Sequence, residues 1–183
     1  NLLAKGFEWK GHTNVFAFSG DVFCAFDNES PNEAARNLEA LHFPPQFIAA
    51  LLRELSFLSG EGDMQGTRSS TFLFNLCIRQ GGPEGPWLWT VQLYVLLLRL
   101  LPEWRRRGVG VEVAPQKRLT HTTWSDNLFL LSSSGEELQI MIQELTSCLH
   151  SHGLRWKHTE LKYIQAAPGV PPPLLVQGLG PDN

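Results

Sequence analysis

Secretion and membrane insertion are the first possibilities this sequence withholds. No positively charged start precedes an apolar signal run, and the longest greasy stretch, residues 87–101, contains Gln92 and Arg99 and is too short to span a bilayer. Cysteine is scarce: Cys24, Cys77 and Cys148 are odd in number, far apart and each set among apolar neighbours. That spacing excludes a disulfide framework and predicts buried free thiols in a reducing, intracellular compartment, nuclear or cytoplasmic. Charge is thin as well. At 18% of the chain, charged residues fall short of the soluble-protein norm of about 25%, so marginal solubility or a missing partner surface is expected. The net charge of -3 lacks the basic excess that phosphate contacts want. The distribution softens this objection: residues 1–75 carry five basic and nine acidic side chains, whereas residues 76–118 carry seven basic against three acidic. Any backbone-binding face is therefore expected in the second half. The first residue is Asn1 rather than Met, as expected of a piece cut from something longer, and no internal repeat is visible.

What is present is bulk. Of 183 residues, 43% are apolar, including six tryptophans and eleven phenylalanines, enough for one real core and an α/β or α+β unit. Residues 15–18 and 21–26 read as a buried strand interrupted at Ser19-Gly20. A helix starts near Pro31 and runs through Ala34, Ala35, Leu38 and Leu41 to Pro44-Pro45. A second puts Phe47, Ile48, Leu51, Leu52 and Leu55 on one stripe. Residues 60–66 form a polar loop, residues 71–78 a short strand, and Gly81 to Pro86 break regular structure. Residues 87–101 make a central helix closed by Arg105, Arg106 and Arg107, whose charge suits its C-terminal end. Val109, Val111 and Val113 alternate as in a strand. Residues 120–131 form two strands meeting at Trp124-Ser125-Asp126-Asn127. Ser133 or Ser134 caps an amphipathic helix that Gly153 ends, residues 154–164 form a last strand pair, and the Pro/Gly-rich residues 166–183 are a flexible tail behind a domain of residues 1–165.

Two carboxylates stand in unusual places. Asp21 and Asp126 each interrupt apolar, strand-like sequence, and a buried carboxylate needs a partner, a metal or an open cleft. If their strands are neighbours, the two acids converge and can hold magnesium or manganese with substrate phosphates. On pattern alone the other reading, that both cap turns at strand ends, stays open, as does a glycosidase-like acid pair.

The order and wording of several segments resemble the reverse transcriptases of non-long-terminal-repeat (LINE-like) retroelements. Asp21-Val22-Phe23-Cys24-Ala25-Phe26-Asp27 looks like the first palm motif. Arg79-Gln80-Gly81-Gly82-Pro83 is similar to the second, leading into a long apolar helix, and Trp124-Ser125-Asp126-Asn127 before an apolar strand takes the place of the third. Glu136 to Leu149, then Gly153-Leu154, resembles the helix and turn that follow, so the likeness spans residues 21–163. It implies an α+β, polymerase-type palm: an antiparallel sheet backed by helices, with fingers and thumb largely missing. It further implies RNA-templated DNA synthesis, with an RNA template, a DNA primer and a deoxynucleoside triphosphate as partners and two Mg2+ or Mn2+ ions as cofactors. Asp21 and Asp126 would be the catalytic, metal-binding acids, with the carbonyl of Val22 and the position of Asn127 beside them. Phe26 would lie under the incoming sugar, while Arg79, Gln80 and Gly81 would border the nucleotide and template. Arg105, Arg106 and Arg107 are candidates for phosphate contact or an ordinary solvated helix end. Asp27 would cap the helix near Pro31, and Lys162 or Lys157 would supply the basic role of the next motif, although Glu160 stands where that lysine is expected.

The departures from the family pattern bear on activity. Asn127 replaces an acid and removes a charge from the metal site, and Trp124 adds bulk where a smaller aromatic is usual. Weak or lost synthesis is the expectation, with a catalytically inactive nucleic-acid-binding or scaffold remnant as the alternative. Other parts of a parent polyprotein would have to supply the missing pieces.

Overall fold

The computed structural model describes residues 14–56, 59–73, 82, 84–165 and 176. The chain divides into two compact units, Asn1–Phe23 with Leu96–Asn183, and Cys24–Val95. In chain order the elements are β1 (Phe16–Asp21), α1 (Ala25–Asn28), α2 (Pro31–Ala40), α3 (Pro45–Leu55), β2 (Ser59–Gly60), β3 (Asp63–Met64), β4 (Thr67–Arg68), β5 (Phe72–Leu73) and α4 (Glu84–Arg107). There follow β6 (Val111–Ala114), β7 (Lys117–Leu119), β8 (His121–Trp124), β9 (Asn127–Ser132), α5 (Gly135–His150), a 3-10 turn (His158–Glu160) and β10 (Lys162–Gln165). Among the described residues no helix is long and apolar enough to cross a membrane.

The first unit is built on a four-stranded antiparallel sheet in the order β10-β1-β9-β8, the mixed α/β arrangement of a reduced palm. Alternation along the strands decides which face is covered. Phe18 and Gly20 of β1 pair with Leu130 and Leu128 of β9, and all four are buried. They face α5, whose Leu138, Met141, Ile142, Leu145 and Leu149 are fully buried. Ser134 caps that helix, its hydroxyl accepting from the Glu137 amide at 3.4 Å. Ala17, Ser19 and Asp21, with their partners Leu131, Phe129 and Asn127, project to the other face, and all six are only partly buried. Ser19-Gly20 therefore lies inside one continuous strand instead of interrupting two. The chain leaves the sheet after Val22 and enters a helix at Ala25, through Cys24 in the left-handed region (φ 47°), so residues 21–26 are not the extended run their composition suggests.

Gly20 is needed where it stands. A Cβ there would come within 2.7 Å of the Trp156 ring and 2.9 Å of the Phe18 ring. Trp156 meets Phe18 edge-on with centroids 5.3 Å apart, and its indole N–H donates to the Thr146 hydroxyl at 2.8 Å. Residues 154–164 thus do not form a strand pair of their own. Trp156 bridges Val22, and Lys162–Gln165 pairs with β1, because the outer edge of β1 offers a full ladder of hydrogen bonds.

In the second unit, Ala34, Ala35, Leu38, Ile48, Leu55, Leu88 and Val91 form the core. The cap of α2 is Ser30, whose hydroxyl accepts from the Glu33 amide at 3.1 Å, in a Ser-x-x-Glu pattern with Pro31 at the first helical position. Asp27, expected in that role, lies within α1 and is exposed. Gln92, polar within the greasy helix, is buried because Asn37 donates its side-chain amide to it. Gly85 and Pro86 do not break structure: they fall in the first turn of α4, where no amide partner is required. This helix is less central than its composition suggests, since Trp87, Tyr94 and Leu98 are exposed. Residues 60–66 include β3, which pairs with β4 just beyond them, and of residues 71–78 those beyond Leu73 lie outside the described residues. Cys24 is exposed and Cys148 partly so, against the expectation of buried thiols; Cys77 lies outside the described residues.

Glu29 is 3% exposed, and neither of its carboxylate oxygens has a hydrogen-bond partner among the described residues. Burial, with a smaller contribution from Glu33, pushes its pKa up to about 8. A raised carboxyl pKa means that stability is full below the unfolded value near 4.5 and falls as pH rises through the folded one. Glu29→Gln is therefore expected to raise stability by roughly 3 kcal/mol at pH 7, with the gain vanishing near pH 4, as read by urea unfolding at both pH values. Gly20→Ala is expected to cost about 1–3 kcal/mol through overpacking against Trp156, with a matching fall in Tm.

Candidate active site

The acidic end of β1 is assembled by strand register. Ser125 and Asp126 close the β8–β9 hairpin, with Trp124 opposite Asn127. Ser125 has a positive φ (55°), as the first residue of a tight two-residue hairpin connection commonly has. The same register puts Asn127 directly opposite Asp21, and opposite residues of an antiparallel pair project to one face. The Val22 amide donates to the Asp126 carbonyl at 3.4 Å, tying the turn to the end of β1. The two acids that stood 105 positions apart in the sequence are thereby neighbours, and the Asp126 carboxylate acts on the Asp21 titration.

Burial, then the negative charge of Asp126 and a hydrogen bond with it, push the Asp21 pKa above the ordinary carboxylate range, while Lys157 pulls the other way. Two carboxyl groups can share a hydrogen bond only while one carries a proton. In the fully ionised pair Oδ1 of Asp21 is left buried with no donor among the described residues. Lys157 Nζ lies 3.7 Å from Asp21 Oδ2 and is partly exposed, too distant and too solvated to offset burial. It is shared with Glu160, 3.5 Å away, and its backbone amide donates to the Asp21 carbonyl at 2.8 Å. Of the two candidate lysines, Lys157 is thus the one beside the acids. Lys162 is exposed on β10, opposite Ser19.

Whether these residues fit a metal follows from the donor set. Two hard oxygen donors in close approach, one with a buried orphan oxygen, suit a single divalent cation. Among the described residues no group of three or more His, Cys, Asp or Glu side chains converges, and the position opposite Asp21 holds the uncharged amide of Asn127. The set fits one weakly held ion better than the two expected. Val22 is buried at its bridge to Trp156.

The remaining expected site residues lie elsewhere. Phe26, in α1 of the second unit, is half-buried and tilted against Trp89 with centroids 6.2 Å apart. Arg79, Gln80 and Gly81 lie outside the described residues. Of the triple arginine, Arg106 is held by Glu103 at 2.6 Å and Arg107 by Glu144 at 2.6 Å, so among the described residues only Arg105 is left without an ion pair. Sequence reasoning missed the Gly20–Trp156 seat. The one signal for it was a glycine inside an apolar strand, a mark of close approach by another group.

Residues 5–166 match the family model described as "Reverse transcriptase (RNA-dependent DNA polymerase)". The chain is also similar to solved structures of telomerase from Candida tropicalis. The apo form truncated from the C-terminal domain is 11% identical with a TM-score of 0.60, over 92% of this chain and 34% of that one. The form in complex with a TWJ fragment of telomeric RNA is 9% identical with a TM-score of 0.65, over 92% of this chain and 29% of that one. This chain spans about a third of the length of those proteins. No curated protein matches it by sequence.

Because Asp126 raises the Asp21 pKa and Lys157 lowers it, Asp126→Asn is expected to bring the Asp21 titration down and Lys157→Ala to push it up, as followed by carboxyl 13C NMR. A raised folded pKa loses stability as pH climbs through it, so Asp21→Asn is expected to stabilise the chain at pH 7 relative to pH 3. Equal stability changes at both pH values would contradict this electrostatic account.

Proposed function

We propose that this chain, which belongs to the reverse transcriptase (RNA-dependent DNA polymerase) family, is a palm that binds nucleic acid on its open sheet face and has weak or no nucleotidyl-transfer activity. The observation that carries the reading is the reduced charge at the acid pair: Asn127 opposite Asp21, with Lys157 beside it. A divalent cation, when bound, would neutralise charge on a transferring phosphoryl group; Asp21 and Asp126 would hold it, beside the Val22 carbonyl and Asn127. One ion held by two acids, one of them easily protonated, falls short of the pair that clamps both attacking and leaving oxygens.

The open face suits a nucleic acid. Trp124 is 79% exposed and shares that face with Asn127 and Phe129, offering a flat ring on which a base stacks with little sequence preference. Lys162 and Ile164 flank it on β10, opposite Ser19 and Ala17. By the family pattern, Phe26 would pack under an incoming sugar, and Arg79, Gln80 and Gly81 would border the nucleotide and template. RNA template and DNA primer are the proposed partners. The motif wording of residues 21–27 and 79–83 favours a non-long-terminal-repeat, LINE-like lineage.

Primer extension on a primed RNA template, with magnesium or manganese, is expected to give little or no product. Binding of an RNA–DNA hybrid is expected to survive Asp21→Asn and to fall on Trp124→Ala by about 1–3 kcal/mol. Asn127→Asp is expected to raise manganese affinity by on the order of tenfold. Robust extension by the unaltered chain, abolished by Asp21→Asn, would refute the proposal.

A further inference from the structure

The end of α4 and the β6–β7 hairpin enclose a cavity of about 620 Å3 in the first unit, with Arg105, Gln116, Lys117, Arg118, Thr120 and His121 among its lining residues. Among the described residues no acidic side chain lines it. The surrounding ion pairs make this selective: Glu103 takes Arg106 and Glu144 takes Arg107, while Arg105, Lys117 and Arg118 form no ion pair among the described residues. Arg118 donates to the Gly110 carbonyl at 3.0 Å, which fixes its stem against the hairpin and spends only part of its fork of donors. Glu112 stands across the hairpin from Arg118 without pairing with it. Arg105 and His121 both line the cavity, and burial first, then the Arg105 charge, hold the imidazole below its ordinary pKa. The Thr120 hydroxyl lies 2.9 Å from His121 Nδ1, adding a polar rim.

Arg105, Lys117 and Arg118 line the cavity wall without an ion pair among the described residues, which leaves that wall positively charged. A cavity this size is larger than a single small anion needs. Guanidinium forks and an ammonium match oxyanions with several acceptor oxygens. We infer that this cleft binds phosphoryl groups, either of a nucleic-acid backbone or of a free polyphosphate. The site is separate from the acid pair, and in its backbone form the inference rests on the nucleic-acid reading above.

The test uses the full chain and two probes, a fluorescent RNA–DNA hybrid titrated across salt concentrations and inorganic tripolyphosphate followed by calorimetry. Lys117→Ala and Arg105→Ala are compared with Arg106→Ala, which removes the same charge from an arginine already met by Glu103. If backbone phosphates fill the cleft, each cleft variant lowers the salt slope of hybrid binding by about 1 and Arg106→Ala leaves it unchanged. If a free polyphosphate is the ligand, hybrid binding is unaltered and tripolyphosphate binding falls at least several-fold in the cleft variants alone. Circular dichroism melts confirm that each variant folds. Unchanged binding of both probes in the cleft variants, or equal losses in Arg106→Ala, would overturn the inference while leaving the open-face reading standing. Tripolyphosphate binding in the cleft of a protein that binds no hybrid would do the reverse.

Discussion

The indole of Trp156 lies on the backbone of Gly20, and the acidic end of β1 depends on that seat. A side chain at residue 20 would occupy the ring's place. With the ring seated, its N–H reaches Thr146 on α5, its backbone bridges Val22, and the following amide donates to the Asp21 carbonyl. Lys157 therefore stands beside Asp21 because packing and backbone hydrogen bonds place it there. Attraction between the two side chains, 3.7 Å apart and partly solvated, is a weak consequence of that placement.

The acid pair works against the fold. Holding Asp21 and Asp126 together while burying one of them raises the energy of the ionised state, and no donor among the described residues reaches Asp21 Oδ1. Such an arrangement is relieved by a proton or by a cation. Asn127 lessens the repulsion and, for the same reason, lessens the pull on a second ion. Glu29 in the other unit is raised by burial first and by Glu33 second, and there the protonated form is the relief.

Positive charge is divided by use. Arg106 and Arg107 are absorbed by Glu103 and Glu144, and the Glu144 carboxylate also accepts from the buried Trp104 indole at 2.7 Å, so that end of α4 is held by structural pairing. The cations left over face a cleft. Trp89, Trp104 and Trp156 are fully buried core, whereas Trp124 is exposed on the open sheet face. The abundance of tryptophan thus has two different causes.

Read alone, the residues specified most helices and the β8–β9 hairpin, because amphipathic stripes, Ser caps and turn-forming dipeptides act within a few positions of one another. They also marked Asp21 and Asp126 as out of place, since a carboxylate inside apolar strand sequence is costly wherever it lands. The motif order pointed to the reverse transcriptase family that the family model matches, at a coarser level than the LINE-like lineage. Proximity decided the rest: that Asp126 lies near Asp21, that Asn127 stands opposite it, that Lys157 and not Lys162 is the neighbouring cation, and that Arg105 alone of its triplet forms no ion pair among the described residues. These facts belong to register and packing between segments far apart in the chain, and no local pattern encodes which strands become neighbours. The extended look of residues 21–26 misled for the same reason. Their β-branched and aromatic composition favours a strand, but β1 ends at Asp21, and after the Val22–Trp156 bridge and the Phe23 amide's bond to the Arg155 carbonyl the chain turns through Cys24 into α1.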